Sequence, residues 1–499
     1  MAWSTGLPIA IALIFVSSAA AAGIAPDRLR ETTFQFETAP VADVKLEGQA
    51  EPRHIAGYFK LARAYDAHMF YFFFESRNLG ATDPLVLWMT GGPGCSSEMA
   101  VFYENGPFNF GDDGKPMPNP YGWDVGHNMI FVDQPVNTGF SYTDDDRDRV
   151  YDEKVVADDM LDFLQLFIAA HPEFKDRDFF VTGESYAGHY VPAVASRVHA
   201  HNKAHPDAQI NLKGLAIGNG LTDPAIQYGA YADYALLNKV IGKGLHDQIN
   251  MVAPLCRWGI NLCNSVGITA ICYVALLFCQ DTQFAPILVA AGDINVYDIR
   301  KQCVGPLCYD FSRLDEFINQ AEVRKSLGVG NRTWEACSPS VHADMMGDWM
   351  KDYEQLVPPM LEDGIAVMVY AGVQDLICNW LGNSRWVDAM PWSQAAEFKA
   401  APERPWLVDG KAAGSVKMAG PLAFVKVADA GHMVPMDQGK AALQMITTFT
   451  RAAALQTADE AADSDLNDAA NYAALKADIA GVSAADKRAL RPTHLVMQS

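Results

Sequence analysis

The chain has 499 residues, half of them hydrophobic and 11% aromatic, enough to bury a large core. Its formal net charge is −22. That argues against nucleic-acid binding, which needs clustered Lys and Arg to replace counterions, and against docking on an anionic membrane.

In chain order, an apolar run from Leu7 to Phe15 leads into Ser17, Ser18 and alanines through Ala22. Small residues there suit a signal-peptidase site, so residues 1–22 read as a cleaved signal peptide, although no Lys or Arg precedes the run. The run is short for a membrane span, and no later segment reads as long and apolar enough for one, so no stable membrane insertion is expected. Residues 23–52 are polar and mixed and read as a leader or short propeptide.

From Gly57 the pattern changes. Met69–Phe74, Leu85–Met89 and Met129–Val132 read as strands apolar on both faces, as in the centre of a mostly parallel sheet. A helix is expected over Val155–Ala170, ahead of Pro172. Strand-like segments follow at Phe179–Val181, Leu215–Ile217, Ile365–Tyr370 and Ala423–Val427, with a closing helix from about Asp437 to Phe449. Alternating strands and helices predict an α/β layered core over residues 53–220 and 360–450.

Residues 221–359 break the rhythm and hold seven of the nine cysteines, so they read as a disulfide-stapled insertion. No CxxC and no zinc-like His–Cys spacing occurs, and neither metal nor organic cofactor is expected. An odd cysteine count in an oxidising compartment leaves at least one thiol unpaired, and eight cysteines alone allow about 105 pairings. Asn331-Arg332-Thr333 is a glycosylation sequon, modest support for secretion. Residues 451–499 are rich in Ala and Asp and read as a disordered, at most marginally helical, tail.

The chemistry centres on Gly183-Glu184-Ser185-Tyr186-Ala187-Gly188, after one strand and before a helix-compatible stretch. That is the setting of a nucleophile elbow, with Ala187 where the strict pattern has glycine. Asp375 and His432 each follow a later strand, where open α/β sheets place their sites, and the order Ser, Asp, His is that of the α/β-hydrolases.

These residues carry a resemblance. Thr90 to Ser97 (TGGPGCSS), Val132 to Tyr142 (VDQPVNTGFSY), Gly183 to Gly188 and Gly431 to Pro435 resemble the signature boxes of the serine carboxypeptidase family, which includes carboxypeptidase Y, plant serine carboxypeptidases of type III and cathepsin A. The likeness runs from about Gly57 to Phe449. It implies an α/β-hydrolase fold with a cap insertion, and release of C-terminal residues from peptides and proteins, favoured at acidic pH. Ser185, Asp375 and His432 would form the triad, with the backbone N–H groups of Gly92 and Tyr186 as oxyanion hole. Thr90, Gly91, Glu104 and Glu184 would bind the substrate carboxylate. Crowded acids there cannot all ionise, so a raised pKa belonging to the pair is expected. Thr90 departs from the Asn of many members and implies modified carboxylate binding. Met99, Tyr103 and Met433 would line an apolar pocket for the leaving residue.

The same resemblance implies disulfides Cys95–Cys337, Cys256–Cys279, Cys263–Cys272 and Cys303–Cys308, leaving Cys378 as a buried free thiol near the cleft. It also implies the secretory pathway, ending in a vacuole or lysosome or outside the cell, and puts a homodimer among the expected states. Two other functions fit the same fold. One is an acyltransferase, whose members tend to carry Asp where Glu184 stands; the other is a protective or binding protein.

Overall fold

The computed structural model describes residues 28–36, 52–305 and 307–459. The expected signal peptide, most of the leader and the chain beyond 459 lie outside these residues. The elements before the insertion are β1 (Leu29–Thr33), β2 (His54–Lys60), β3 (His68–Phe74), β4 (Leu85–Met89), α1 (Glu98–Tyr103), β5 (Phe108–Phe110), β6 (Pro116–Pro118), β7 (Asn128–Val132), α2 (Glu153–Ala170), β8 (Phe179–Glu184), α3 (Ala187–Ala204) and β9 (Leu212–Gly218). Within the insertion the main helices are α4 (Lys243–Val266), α5 (Thr269–Cys279), α6 (Ala285–Ala291) and α7 (Pro339–Met345). After it come β10 (Ala366–Gly372), β11 (Arg404–Val408), β12 (Lys411–Ala419), β13 (Leu422–Val427) and α8 (Gly439–Asp459).

Eleven strands form one sheet in the order β1-β2-β3-β7-β4-β8-β9-β10-β13-β12-β11. Only the centre, β7 through β13, is parallel; both flanks are antiparallel. This corrects the reading of β3 as part of a parallel centre, for β3 runs antiparallel to both neighbours. Its aromatic run is buried on both faces because helices cover both sides, and burial does not carry strand direction.

The two-residue period of the strands separates two cores. Tyr71, Phe73, Leu87 and Val181 face α2 and α3; Phe70, Phe72, Phe74, Val86, Trp88 and Phe180 face the layer of α1 and α8. Helix α2 buries Val156, Met160, Phe163, Leu164 and Phe167 at helical spacing, and the Asp152 side chain caps its N-terminus by accepting from Val155 N at 3.1 Å. Each large side chain so buried contributes roughly 1.5–3 kcal/mol.

Two further readings change. The closing helix α8 begins at Gly439 and continues through Asp459, so the first residues of the expected tail are helical. Alanine gives that stretch high helix propensity, and Ala453 is buried. The run Thr269–Ala291, which the sequence reading passed over, is long and apolar enough to cross a bilayer by length and composition. It is bonded to α4 through the nested disulfides Cys256–Cys279 and Cys263–Cys272. The remaining bonds, Cys95–Cys337 and Cys303–Cys308, also pair as the resemblance implies, and Cys378 is free and buried.

Candidate active site

Strand β8 ends at Glu184, α3 begins at Ala187, and Ser185 between them holds φ +69°. A non-glycine residue in the left-handed region stores strain and marks a site the surrounding structure holds in place. The turn is pinned by Ser185 N donating to Gly218 O at 3.0 Å, and by Leu221 N and Gly188 N donating to Ser185 O at 3.0 and 2.9 Å. A Cβ on Gly183 would lie 2.7 Å from that of Ala187, so one residue of the two must be glycine, and Ala187 is tolerated because Gly183 is the other.

Asp375 follows β10 and His432 follows β13, the two strands beyond β9. His432 Nδ1 lies 2.8 Å from Asp375 Oδ2, with both side chains buried. Asp375 also accepts from Ile377 N at 3.0 Å, Cys378 N at 3.2 Å and Asn219 Nδ2 at 2.8 Å. Asn219, directly after β9, in turn receives Gly372 N at 3.0 Å. The carboxylate is therefore fully bonded and fixed before substrate arrives. His432 N donates to Tyr297 O at 2.7 Å, and the Tyr297 ring lies 5.0 Å from the imidazole. Among the described residues no hydrogen bond joins the Ser185 hydroxyl to His432; in a free enzyme such contacts commonly tighten only with substrate.

The loop after β4 closes over this elbow. A Cβ on Gly91 would strike Tyr186 N and lie 2.7 Å from Glu184 O and 2.8 Å from Ser185 Cβ. Only glycine allows that approach. Gly92 follows at φ +113°, and Cys95 ties the loop to Cys337 of the insertion.

Glu104 and Glu184 are both buried and face each other. Apart from the two acids themselves, no N–H or O–H of the described residues reaches either oxygen of Glu104 or Oε2 of Glu184. Burial pushes Glu104 up to about 8, tempered by the Glu184 carboxyl as hydrogen-bond partner. Burial first and the Glu104 charge second hold Glu184 well above the carboxylate range. Two acids so placed share a proton, and the titration belongs to the pair. Thr90 Oγ1 accepts from Trp88 Nε1 at 3.0 Å, which leaves its own hydrogen to donate elsewhere.

Met99 and Met433 are buried; the Tyr103 hydroxyl is buried beside Leu314, and its ring lies 5.1 Å from Phe311. Cys378 is 7% exposed, and burial pushes its thiol well up, with Asp375 and Glu184 adding to the shift. Asn331 is exposed. Sequence reasoning missed Asn219, Tyr297 and Tyr309, the last with a buried hydroxyl that has no hydrogen-bond partner among the described residues and a ring 5.6 Å from that of Tyr297. Asn219 carried a signal, its place at a C-terminal strand end; the two tyrosines lie in the insertion, whose path the sequence does not show.

The family profile described as serine carboxypeptidase matches residues 45–452. The chain belongs to the serine carboxypeptidase family. Among its relatives are serine carboxypeptidase-like 49 of Arabidopsis thaliana, 56% identical over 79% of this chain and 76% of that one, and serine carboxypeptidase 3 of Oryza sativa subsp. japonica, 52% identical over 86% and 84%. The crystal structure of Kex1(delta)p, a prohormone-processing carboxypeptidase from Saccharomyces cerevisiae, superposes with a TM-score of 0.74 at 27% identity, over 84% of this chain and 95% of that one. The fold is that of the α/β-hydrolases, and the family is one of serine peptidase hydrolases.

Proposed function

We propose that this serine carboxypeptidase family member releases C-terminal residues from peptides and proteins through an acyl-enzyme, with best activity on the acid side. The observation that carries the reading is the buried Glu104–Glu184 pair, set on the residue before the nucleophile and beside Gly91. A protonated acid pair next to a nucleophilic serine is a receptor for a substrate carboxylate, which an acyl donor lacking a free carboxylate does not need.

Ser185 Oγ attacks the scissile carbonyl carbon and gives its proton to His432 Nε2. Nδ1–H of the same ring donates to Asp375 Oδ2, which stabilises the imidazolium. Gly92 N–H and Tyr186 N–H receive the oxyanion. As the C–N bond breaks, Nε2 returns the proton to the leaving amine; water then attacks the ester by the same route. Meanwhile the shared proton of Glu104 and Glu184, the Gly91 N–H and the Thr90 hydroxyl hold the terminal carboxylate, and Met99, Tyr103 and Met433 receive the last side chain. The disulfides suit an oxidising compartment of the secretory pathway.

The test is hydrolysis of a blocked dipeptide beside its C-terminal amide from about pH 4 to 8, with wild type and Ser185→Ala in parallel. Serine-dependent release, stronger for the free acid, supports the reading. Folded protein that cleaves neither substrate, yet transfers an acyl group from a sugar ester, would establish acyl transfer instead.

A further inference from the structure

Tyr186 supplies a backbone N–H to the oxyanion in the reading above, but its side chain points away from that position. Its hydroxyl donates to Asp348 Oδ2 at 3.2 Å. Asp348 belongs to the insertion, three residues after α7, and is fully buried. Its other oxygen accepts from the Tyr353 hydroxyl at 2.9 Å and lies 3.4 Å from Lys351 Nζ.

The contacts close into a ring. The Tyr186 ring stacks on His189 at 4.6 Å, and His189 packs on Tyr353 at 4.7 Å. His189 Nδ1 lies 2.6 Å from Leu221 O, and Leu221 N donates to Ser185 O. Burial pushes His189 down to about 4, so the imidazole is neutral and its Nδ1–H is the donor. Beside Asp348 stands Glu153, fully buried with neither oxygen hydrogen-bonded among the described residues. Burial, then the Asp348 charge, push the Glu153 carboxyl well above the carboxylate range, while burial raises Asp348 to about 6. Each Asp348 oxygen faces one tyrosine hydroxyl, Oδ2 that of Tyr186 and Oδ1 that of Tyr353.

We propose that Asp348 is a positioning residue for acyl transfer: by gripping the Tyr186 hydroxyl from the insertion side, it fixes the backbone N–H of Tyr186 against the oxyanion. This rests on the oxyanion role assigned to Tyr186 under the proposed function. A donor matters to the transition state only if it is held where charge will develop, and a misplacement of about 1 Å can cost a hundredfold. Only proline would delete the N–H itself, and its ring would also disturb the turn, so the grip on the side chain is what substitution can test cleanly.

Tyr186→Phe removes one oxygen and leaves ring and backbone in place. Two readouts are compared: kcat and KM on the blocked dipeptide, and the rate at which a fluorophosphonate labels Ser185. We expect Tyr186→Phe and Asp348→Ala each to lower kcat about tenfold with KM within about twofold, and to slow labelling by the same factor. The double variant should be no slower than either single one, since both break one contact. Asp348→Asn keeps an acceptor oxygen and should recover most of kcat. Wild-type kcat and labelling in Tyr186→Phe overturns the proposal, as does a double variant whose losses multiply. Wild type that is labelled at Ser185 but cleaves no peptide defeats the carboxypeptidase reading alone, because labelling rates still compare the variants.

Discussion

Asn219 Nδ2 donates to the same oxygen of Asp375 that His432 Nδ1 contacts, each at 2.8 Å. Asn219 also receives Gly372 N, and its own N–H bonds Tyr370 O at 2.8 Å. It therefore locks the carboxylate to the ends of β9 and β10. Asn219→Ala is expected to lower kcat roughly ten- to a hundredfold with little change in KM, by loosening the Asp–His geometry. Asn219→Asp should be worse, since it sets a like charge against Asp375. Steady-state kinetics on the blocked dipeptide checks both; a wild-type kcat in Asn219→Ala would show that the bond is incidental.

The Glu104–Glu184 pair makes stability depend on pH with a definite sign. Glu104 moves from an ordinary 4.5 to about 8, so the folded chain keeps a proton that the unfolded chain releases between those values. Stability contributed by protonation is complete below about 4.5 and is lost as pH rises through about 8. Thermal unfolding should show Tm falling by a few degrees across that window. Glu104→Gln should flatten part of the slope. The remainder belongs to other carboxyls that burial raises in the same direction, Glu184, Glu153, Asp133 and Glu354 among them.

Loss of that proton also removes a donor to the substrate. Hydrolysis of the free-acid dipeptide, relative to its amide, should fall as pH rises through about 8. Glu184→Gln should weaken the preference for the free acid at every pH. An unchanged ratio would separate the acid pair from carboxylate binding.

Cys378 N donates to Asp375, yet its thiol is 7% exposed and held well above the usual thiol range. The thiolate is the reactive form, so modification should be slow at neutral pH and accelerate in alkali. Complete reaction with a bulky maleimide should block activity. Cys378→Ser should remain active and insensitive to the reagent, and full activity of the modified wild type would refute the placement.

Gly91→Ala tests the closeness of the β4 loop to the elbow. Its Cβ would meet Tyr186 N, and lie 2.8 Å from Ser185 Cβ. We expect kcat to fall by at least about a hundredfold, as when an oxyanion donor is lost, with an overpacking cost of about 1–3 kcal/mol visible in chemical denaturation.

The parallel centre of the sheet and the placing of Ser185, Asp375 and His432 at strand ends were legible because they leave strong local marks. Strands buried on both faces read as apolar runs, and Ser185, Asp375 and His432 each follow one. What the sequence hid has physical reasons. Strand β12, with exposed Lys411 and a half-buried face, lacks an apolar run, and β11 is mostly exposed. The direction of β3 depends on its partners. Asn219 acts through a contact 156 residues away along the chain. Asp348 carries no local mark in the sequence, and only the folded path sets it against Tyr186.

The bond Cys95–Cys337 spans 242 residues. Cys95 sits just past Gly91 and Gly92, so the loop assigned to the oxyanion in the proposed function cannot be latched until translation has passed residue 337 and an oxidant has reached the thiols. By then the elbow strand and the whole α4–α6 hairpin have already emerged. The same bond ties the cap to the loop that closes over the elbow, so mild reductant is expected to lower activity at concentrations that leave the fold intact.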